Sequence, residues 1–415
     1  MEVFRITGGE RLTGEVFVGS AKNAVLPILA AAILTSEPVV IEGFPELIDT
    51  RNMLGILTTL GCDCRVSGGR ATIDARAASG YEMPAALSKA LRSSIFMMGP
   101  MLGRFRKAVV TYPGGCEIGQ RPIDLHLKGL RALGVKIEEA HGMIYCDGSA
   151  LSGGEVHLDF PSVGATENVM MASAVATGRT VIHNAAREPE ILDLQRFMNA
   201  CGARVSGAGG GRITVEGVEG LHGARFRPMP DRIAGATLLT AAAMTGGEIA
   251  LIGAIVGDMG AVLDKLRKAG CEIACEEGRV MLRAPARLHA IEVSTQPFPG
   301  FPTDMQAQIM ALACVAEGAS VIVENVFENR FAHAPELRRM GADIWMSGGR
   351  TCVVRGGRLT GARVSARDLR GGAALVLAGL AAEGVTEVSG VELIDRGYEK
   401  LEASISALGG KIERL

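Results

Sequence analysis

The chain has 415 residues, 48% of them apolar and 21% charged, enough for two or three domains with cores of their own. Its 43 basic and 45 acidic side chains leave a formal charge of −2, and aromatic residues make up only 4%. Neither a bulk field for nucleic acid or anionic membrane nor a base-stacking surface is implied.

Met1 to Arg5 shows no basic segment followed by an apolar core, so no secretory signal is read there. The longest apolar run, Ala24 to Leu34, contains Pro27 and is too short to span a bilayer. Nine cysteines, with spacings such as Cys62-x-Cys64, match no zinc pattern with partner histidines. Together these features point to a cytoplasmic α/β protein with reduced thiols and no membrane insertion.

In chain order, two β-like stretches (Val3 to Ile6, Gly14 to Val18) precede Gly19-Ser20-Ala21-Lys22-Asn23 and the apolar helix Ala24 to Leu34. A phrase then returns six times: a helical stretch, a glycine and a β-like run. Its marker glycines are Gly61, Gly134, Gly202, Gly270, Gly341 and Gly409, spaced by 73, 68, 68, 71 and 68 residues. A glycine there suits a helix C-cap in the left-handed region. Each unit also carries an alanine-rich helix running into a β-branched strand, as in Ala311-Leu312-Ala313-Cys314 before Val321-Ile322-Val323. The repeat exceeds the usual solenoid period, so it reads as a βα module multiplied. Six modules fall into two groups of three, with the junction near Arg227-Pro228-Met229-Pro230. A cleft between two similar halves would be a natural ligand site.

Several stretches carry chemistry. Lys22 at the start of an apolar helix suits an anion. The segment Gly114-Gly115-Cys116-Glu117-Ile118-Gly119-Gln120-Arg121-Pro122 is too glycine-rich for a helix or strand interior. It reads as a loop carrying a thiol near a cation, which favours the thiolate. It is not a phosphate-binding Walker loop, because Gln120 stands where the lysine would be. Gly207 to Gly211 is a link between strands, not a dinucleotide fingerprint, since no helix follows. Arg92, Arg121, Arg330, Arg370 and Arg396 lie where elements end, and with Lys22 would suit a small substrate bearing phosphate and carboxylate. Asp304 is expected either to cap a helix Met305 to Val315 or to accept a hydroxyl proton.

Taken together, Gly19 to Ala24, Gly114 to His126, Phe160-Pro161-Ser162-Val163-Gly164-Ala165-Thr166-Glu167-Asn168, Pro230-Asp231-Arg232-Ile233, Phe298 to Gln306 and Glu328-Asn329-Arg330-Phe331 resemble the enolpyruvyl transferase family. Within it the likeness is to the members whose acceptor is UDP-N-acetylglucosamine. It runs from the first strand to Ile394-Asp395-Arg396-Gly397-Tyr398.

The resemblance implies two similar domains, each of three βαβαββ-like repeats, described as an inside-out α/β barrel. Residues 22–229 would form the first, carrying the Cys116 loop as a lid. Residues 1–21 with 230–415 would form the second, with the active site in the cleft between them. It implies transfer of enolpyruvate from phosphoenolpyruvate to the 3′-hydroxyl of UDP-N-acetylglucosamine, the first committed step of peptidoglycan synthesis, with no metal or organic cofactor.

By the same resemblance Lys22 and Arg121 would hold the phosphate, while Arg330, Arg370 and Arg396 would hold the carboxylate. Asn23 would contact both substrates near the reacting centre. Cys116 would donate a proton to the methylene carbon, form a covalent adduct and react with fosfomycin. Asp304 would be the base, with Lys22 and Arg396 also counted as catalytic. Arg92, Pro122, Ile123, Asp124, Leu125, Val163, Gly164, Asp304 and Val326 would bind the nucleotide sugar. Two departures from the family pattern are Ala234-Gly235-Ala236-Thr237 and the absence of a lysine just before Asp49-Thr50. The alternatives are transfer to shikimate 3-phosphate, and a non-catalytic paralogue that binds UDP-N-acetylglucosamine.

Overall fold

The computed structural model describes residues 2–112 and 123–415. It divides into two compact units, one containing Met1–Gly19 and Pro230–Leu415, the other built from the chain between Ser20 and Met229.

The module is clearest in residues 292–355. Strand Glu292–Ser294 leads through a 3₁₀ turn to helix Gln306–Ala313 and strand Ala319–Val323. Helix Ala334–Arg339 and the hairpin Asp343–Ser347 with Thr351–Arg355 complete it. The first two strands pair in parallel and the others antiparallel, giving a four-stranded mixed sheet. A crossover helix between parallel strands and a tight hairpin between antiparallel ones are the expected connections.

Among the described residues each unit carries three sheets, all four-stranded and mixed except one in the Ser20–Met229 unit, where Lys107–Thr111, Met143–Asp147 and Lys136–Ala140 make a three-stranded antiparallel sheet. The two N-terminal strands serve different sheets of the Pro230–Leu415 unit. Val3–Thr7 lies between Val385–Ser389 and Lys411–Arg414, whereas Thr13–Phe17 runs parallel to Glu248–Ile252. The six marker glycines all have positive φ, from 85° at Gly134 to 101° at Gly270. That conformation stops each helix and is open to glycine without the Cβ penalty.

The sheets lie outside and the helices within. In one unit Arg232–Met244, Gln306–Ala313 and Leu369–Ala381 are buried along nearly their whole length. Lys22–Ala32 and Val163–Ser173 are buried similarly in the other. A helix apolar on all sides has no solvent face to offer, so it packs at the centre. Strands alternate instead: in Arg212–Glu216 only Ile213 and Val215 point fully into the core. Small residues set how close the inner helices come. A Cβ on Gly99 would fall 2.3 Å from the Asn168 carbonyl oxygen, so helix Met98–Phe105 meets helix Val163–Ser173 only because that position is glycine. No helix among the described residues is long and apolar enough to cross a membrane.

Candidate active site at the starts of buried helices

Several of the predicted site residues stand at helix starts. Lys22 and Asn23 are the first two residues of helix Lys22–Ala32, which begins two residues earlier than the apolar run suggests and has no side-chain cap. Val163 and Gly164 open helix Val163–Ser173, whose cap is Ser162, accepting from the Ala165 N–H at 3.3 Å. Asp124 and Leu125 open helix Asp124–Ala132 behind the buried Ile123. Arg370 is the second residue of helix Leu369–Ala381, capped by the Asp368 carboxylate through the Arg370 and Gly371 N–H groups. The first turn of a helix presents unpaired N–H groups and the positive end of its dipole, which suits phosphate and carboxylate ligands. Arg92 opens the 3₁₀ segment Arg92–Met97, but its side chain lies outside the description. Cys116, Arg121 and Pro122 fall outside the described residues.

In the Ser20–Met229 unit, Lys22 Nζ lies 3.0 Å from Asp49 Oδ2, a carboxylate only 2% exposed. Three of the predicted sugar-binding segments are tied together by Asn168, which is fully buried. Its Oδ1 accepts from the Gly99 N–H at 2.7 Å, and its Nδ2 donates to the Ile95 carbonyl at 3.1 Å. The same Nδ2 faces His126 Nδ1 at 2.7 Å. His126 is buried, and desolvation pulls its pKa down to about 4. The ring is therefore neutral, accepting at Nδ1 from the amide. One asparagine thus links the segment after Arg92, the helix of Asp124 and the helix of Gly164, where a Cβ would come within 2.9 Å of the His126 ring.

In the other unit Asp304 sits in the 3₁₀ turn Thr303–Met305, not on a helix cap. Helix Gln306–Ala313 starts after it and has no side-chain cap. The capping expectation fails because both carboxylate oxygens have stronger, charged partners. Arg330 Nη2 donates to Oδ1 at 2.7 Å and Arg370 Nη2 to Oδ2 at 3.0 Å. Charge-assisted bonds of this kind outweigh a neutral N–H cap. Both arginine side chains are 4% exposed, against 28% for Asp304. Arg370 also stacks over the Tyr398 ring at 5.2 Å, and Arg330 over Phe327 at 5.5 Å. Burial works against the Arg370 charge, but Asp304, Tyr398 and Asp231 more than offset it and leave its pKa above the ordinary value. Arg330 Nε, Arg370 Nε and Arg370 Nη1 have no hydrogen-bond partner among the described residues. Two buried cations facing one shared carboxylate make a pocket with net positive charge.

Val326 belongs to a loop pinned by Glu324, which is fully buried. One Glu324 oxygen accepts from Thr295 Oγ1 at 2.9 Å, the Val326 N–H at 2.8 Å and the Phe327 N–H at 3.1 Å; the other accepts from Thr303 Oγ1 at 3.0 Å. Glu324 therefore fixes both the Val326 loop and the turn carrying Asp304. Arg396 is half-buried. Its neighbour Asp395 receives two bonds from Arg414, both at 2.8 Å. Beneath Arg330, His333 is buried with neither ring nitrogen bonded among the described residues. Burial, aided by the Arg330 charge and opposed by Asp368, drives its pKa down to about 4.

Asn168, Glu324 and His333 were not singled out by the sequence reading. The signal for Glu324 was present: a glutamate directly after the apolar strand Val321-Ile322-Val323 has no easy route to water. Asn168 and His126 lie 42 residues apart, and only folding brings them together.

Comparison with known proteins places the chain in a family. A family model described as EPSP synthase (3-phosphoshikimate 1-carboxyvinyltransferase) matches residues 6–405. The crystal structure of the enolpyruvyl transferase NikO from Streptomyces tendae superposes with a TM-score of 0.89 at 25% identity, over 100% of this chain and 98% of that one. The chain belongs to the enolpyruvyl transferase family. Among similar curated proteins, UDP-N-acetylglucosamine 1-carboxyvinyltransferase 2 of Caldanaerobacter subterraneus subsp. tengcongensis is 50% identical, over 100% of both chains. UDP-N-acetylglucosamine 1-carboxyvinyltransferase 1 of Symbiobacterium thermophilum is 52% identical, over 100% of this chain and 95% of its own.

Proposed function

We propose that the protein transfers the enolpyruvyl group of phosphoenolpyruvate to the 3′-hydroxyl of UDP-N-acetylglucosamine, releasing phosphate, as the first committed cytoplasmic step of peptidoglycan synthesis. The observation that carries the reading is the pair of buried guanidiniums converging on one carboxylate, Asp304, as they would on a substrate carboxylate. Relatives about half identical over their full length, named for that activity, support the choice of acceptor.

The residues take the following roles. Lys22 and Arg121 hold the phosphate, and Asn23 contacts both substrates. Arg330, Arg370 and Arg396 hold the carboxylate, and Arg396 and Lys22 also stabilise charge at the reacting centre. Fixed cations aimed at developing charge are the largest contribution an enzyme of this type can make. Asp304 accepts the proton of the 3′-hydroxyl, whose oxygen bonds to C2 of phosphoenolpyruvate. The Cys116 thiol gives its proton to C3, turning methylene into methyl. The product is a tetrahedral ketal with every proton accounted for. Return of a methyl proton to the Cys116 thiolate and departure of phosphate, which takes the proton held by Asp304, restore the double bond and both side chains. Arg92, Pro122, Ile123, Asp124, Leu125, Val163, Gly164 and Val326 hold the nucleotide sugar. No metal or organic cofactor enters this balance.

Phosphate release on mixing the protein with both substrates tests the reading. Release that requires shikimate 3-phosphate in place of the nucleotide sugar would overturn the acceptor. Binding of the nucleotide sugar without release with either acceptor would favour a non-catalytic paralogue.

A further inference from the structure

Asp304 carries the role of base, yet in this structure it is already fully engaged. Each oxygen holds one guanidinium, at 2.7 and 3.0 Å. Two such bonds stabilise the ionised carboxylate and make it a poor proton acceptor. The guanidiniums are the buried partners and Asp304 the more exposed one, so an anion arriving from solvent meets Asp304 on the same donors.

We propose that Asp304 is an internal stand-in for the substrate carboxylate. It holds Arg330 and Arg370 until phosphoenolpyruvate takes over those donors, and is thereby released to accept the hydroxyl proton. The proposal rests on the reaction assigned above and adds its timing. Two carboxylates sharing two guanidiniums repel one another, and the less well held of the two gains proton affinity. Binding of phosphoenolpyruvate and activation of the base are then one event, and the acceptor hydroxyl is not deprotonated before its partner is present.

Calorimetric binding of phosphoenolpyruvate in saturating UDP-N-acetylglucosamine tests this, in a Cys116→Ser background that prevents covalent trapping. Adding Asp304→Asn removes the competing charge at constant shape. Affinity should rise about three- to tenfold, while the single variant Asp304→Asn loses turnover about 100-fold or more. Weaker binding with lost turnover would mean that Asp304 merely orders the arginines; the proposal falls and the reaction stands. Undiminished turnover would remove Asp304 as base, while phosphate release by the unaltered protein reports on the reaction independently. In the unaltered protein, the acidic limb of kcat should lie at higher pH than that of kcat/KM for phosphoenolpyruvate. Coincident limbs would also overturn the exchange.

A separate cluster supports a second inference. Glu155 and His157 alternate on strand Glu155–His157, and the parallel register sets His183 beside His157. One ligand atom from each lies within 4.8 Å of the others. His183 Nε2 is 2.5 Å from Glu155 Oε2, and the two imidazoles stack with centroids 4.3 Å apart. A metal takes imidazole as a neutral nitrogen ligand. The geometry points to a surface site for a divalent transition metal, with two imidazoles and one carboxylate as ligands and an open position for water. Titration of the full chain with cobalt(II) chloride should show saturable binding of one equivalent and weak visible bands. Binding should weaken about tenfold or more in His157→Gln and in His183→Gln. No saturable binding, binding indifferent to both substitutions, or a thiolate charge-transfer band would overturn the site.

Discussion

The two units share a scaffold but pair their site charges differently. In the Pro230–Leu415 unit two buried guanidiniums share one carboxylate, an arrangement with positive charge to spare. In the Ser20–Met229 unit Lys22 pairs with Asp49, and Glu167, Glu190 and Asp193 are buried in the same unit. Burial, then the charges of Glu190 and Glu188, push Glu167 well above the usual carboxylate range. Multiplication of a βα module therefore preserves what burial demands, namely apolar inner helices and left-handed glycines. The polar residues at the helix starts are free to diverge, because they border the core without filling it. Chemistry accumulates where the repeat is least constrained.

The comparison is broken most severely by removing the surplus cation. Arg370→Ala should lower kcat/KM about 10²- to 10³-fold, measured by phosphate release, with Arg370→Lys recovering only part because lysine lacks the planar fork. A loss of less than tenfold would show that the positive pocket is not where the carboxylate binds.

The thiols offer a second contrast. Burial pushes Cys62, Cys146, Cys201 and Cys271 up to about 12, so they are inert at neutral pH. With the nucleotide sugar present, fosfomycin should add once by intact mass, and Cys116→Ser should abolish that adduct. Persistence of the adduct in the variant would place the reactive thiol elsewhere.

The two organising polar residues come next. Glu324→Gln replaces an oxygen that accepts from Thr303 Oγ1 or from the Val326 loop with an amide donor. It should cost about 2–3 kcal/mol in denaturant unfolding and raise KM more than it lowers kcat. Asn168→Ala should cost a similar amount in the other unit and raise KM for the nucleotide sugar, because three segments proposed to bind it lose their common tie. An unchanged KM in either variant would reduce that residue to a structural role.

One further effect, on stability and not on turnover, is shared by both units. His126 and His333 resist protonation until about pH 4, whereas in the unfolded chain histidine takes up a proton near pH 6.5. The unfolded state therefore binds more protons in that window, and stability falls as pH is lowered from about 6.5 towards 4. Each histidine contributes on the order of 3 kcal/mol. Denaturant midpoints measured across the window check this, and stability flat or rising towards pH 4 would contradict it.

Much of the architecture was legible in the residues. The marker glycines announced six helix ends, and all six have positive φ. The link Gly207 to Gly211 does join the strands Arg204–Ser206 and Arg212–Glu216. Lys22 was readable as a residue at a helix start, whereas Arg370, expected where an element ends, lies in the first turn of one. Asp304 was readable only as an ambiguity, since a carboxylate before an apolar helix looks the same whether it caps or pairs. Arg330 and Arg370, 26 and 66 residues away in sequence, removed that ambiguity.

The sequence by itself determined the repeat, the helix stops and the buried identity of the inner helices. These depend on local backbone sterics and on apolar periodicity, which act over a few residues. Only the tertiary structure decided which polar groups share a partner: Asp304 with two guanidiniums, Asn168 with His126, Glu324 with two loops. Those choices depend on distances between segments far apart in the chain, and on burial strong enough to make an unpaired polar group costly.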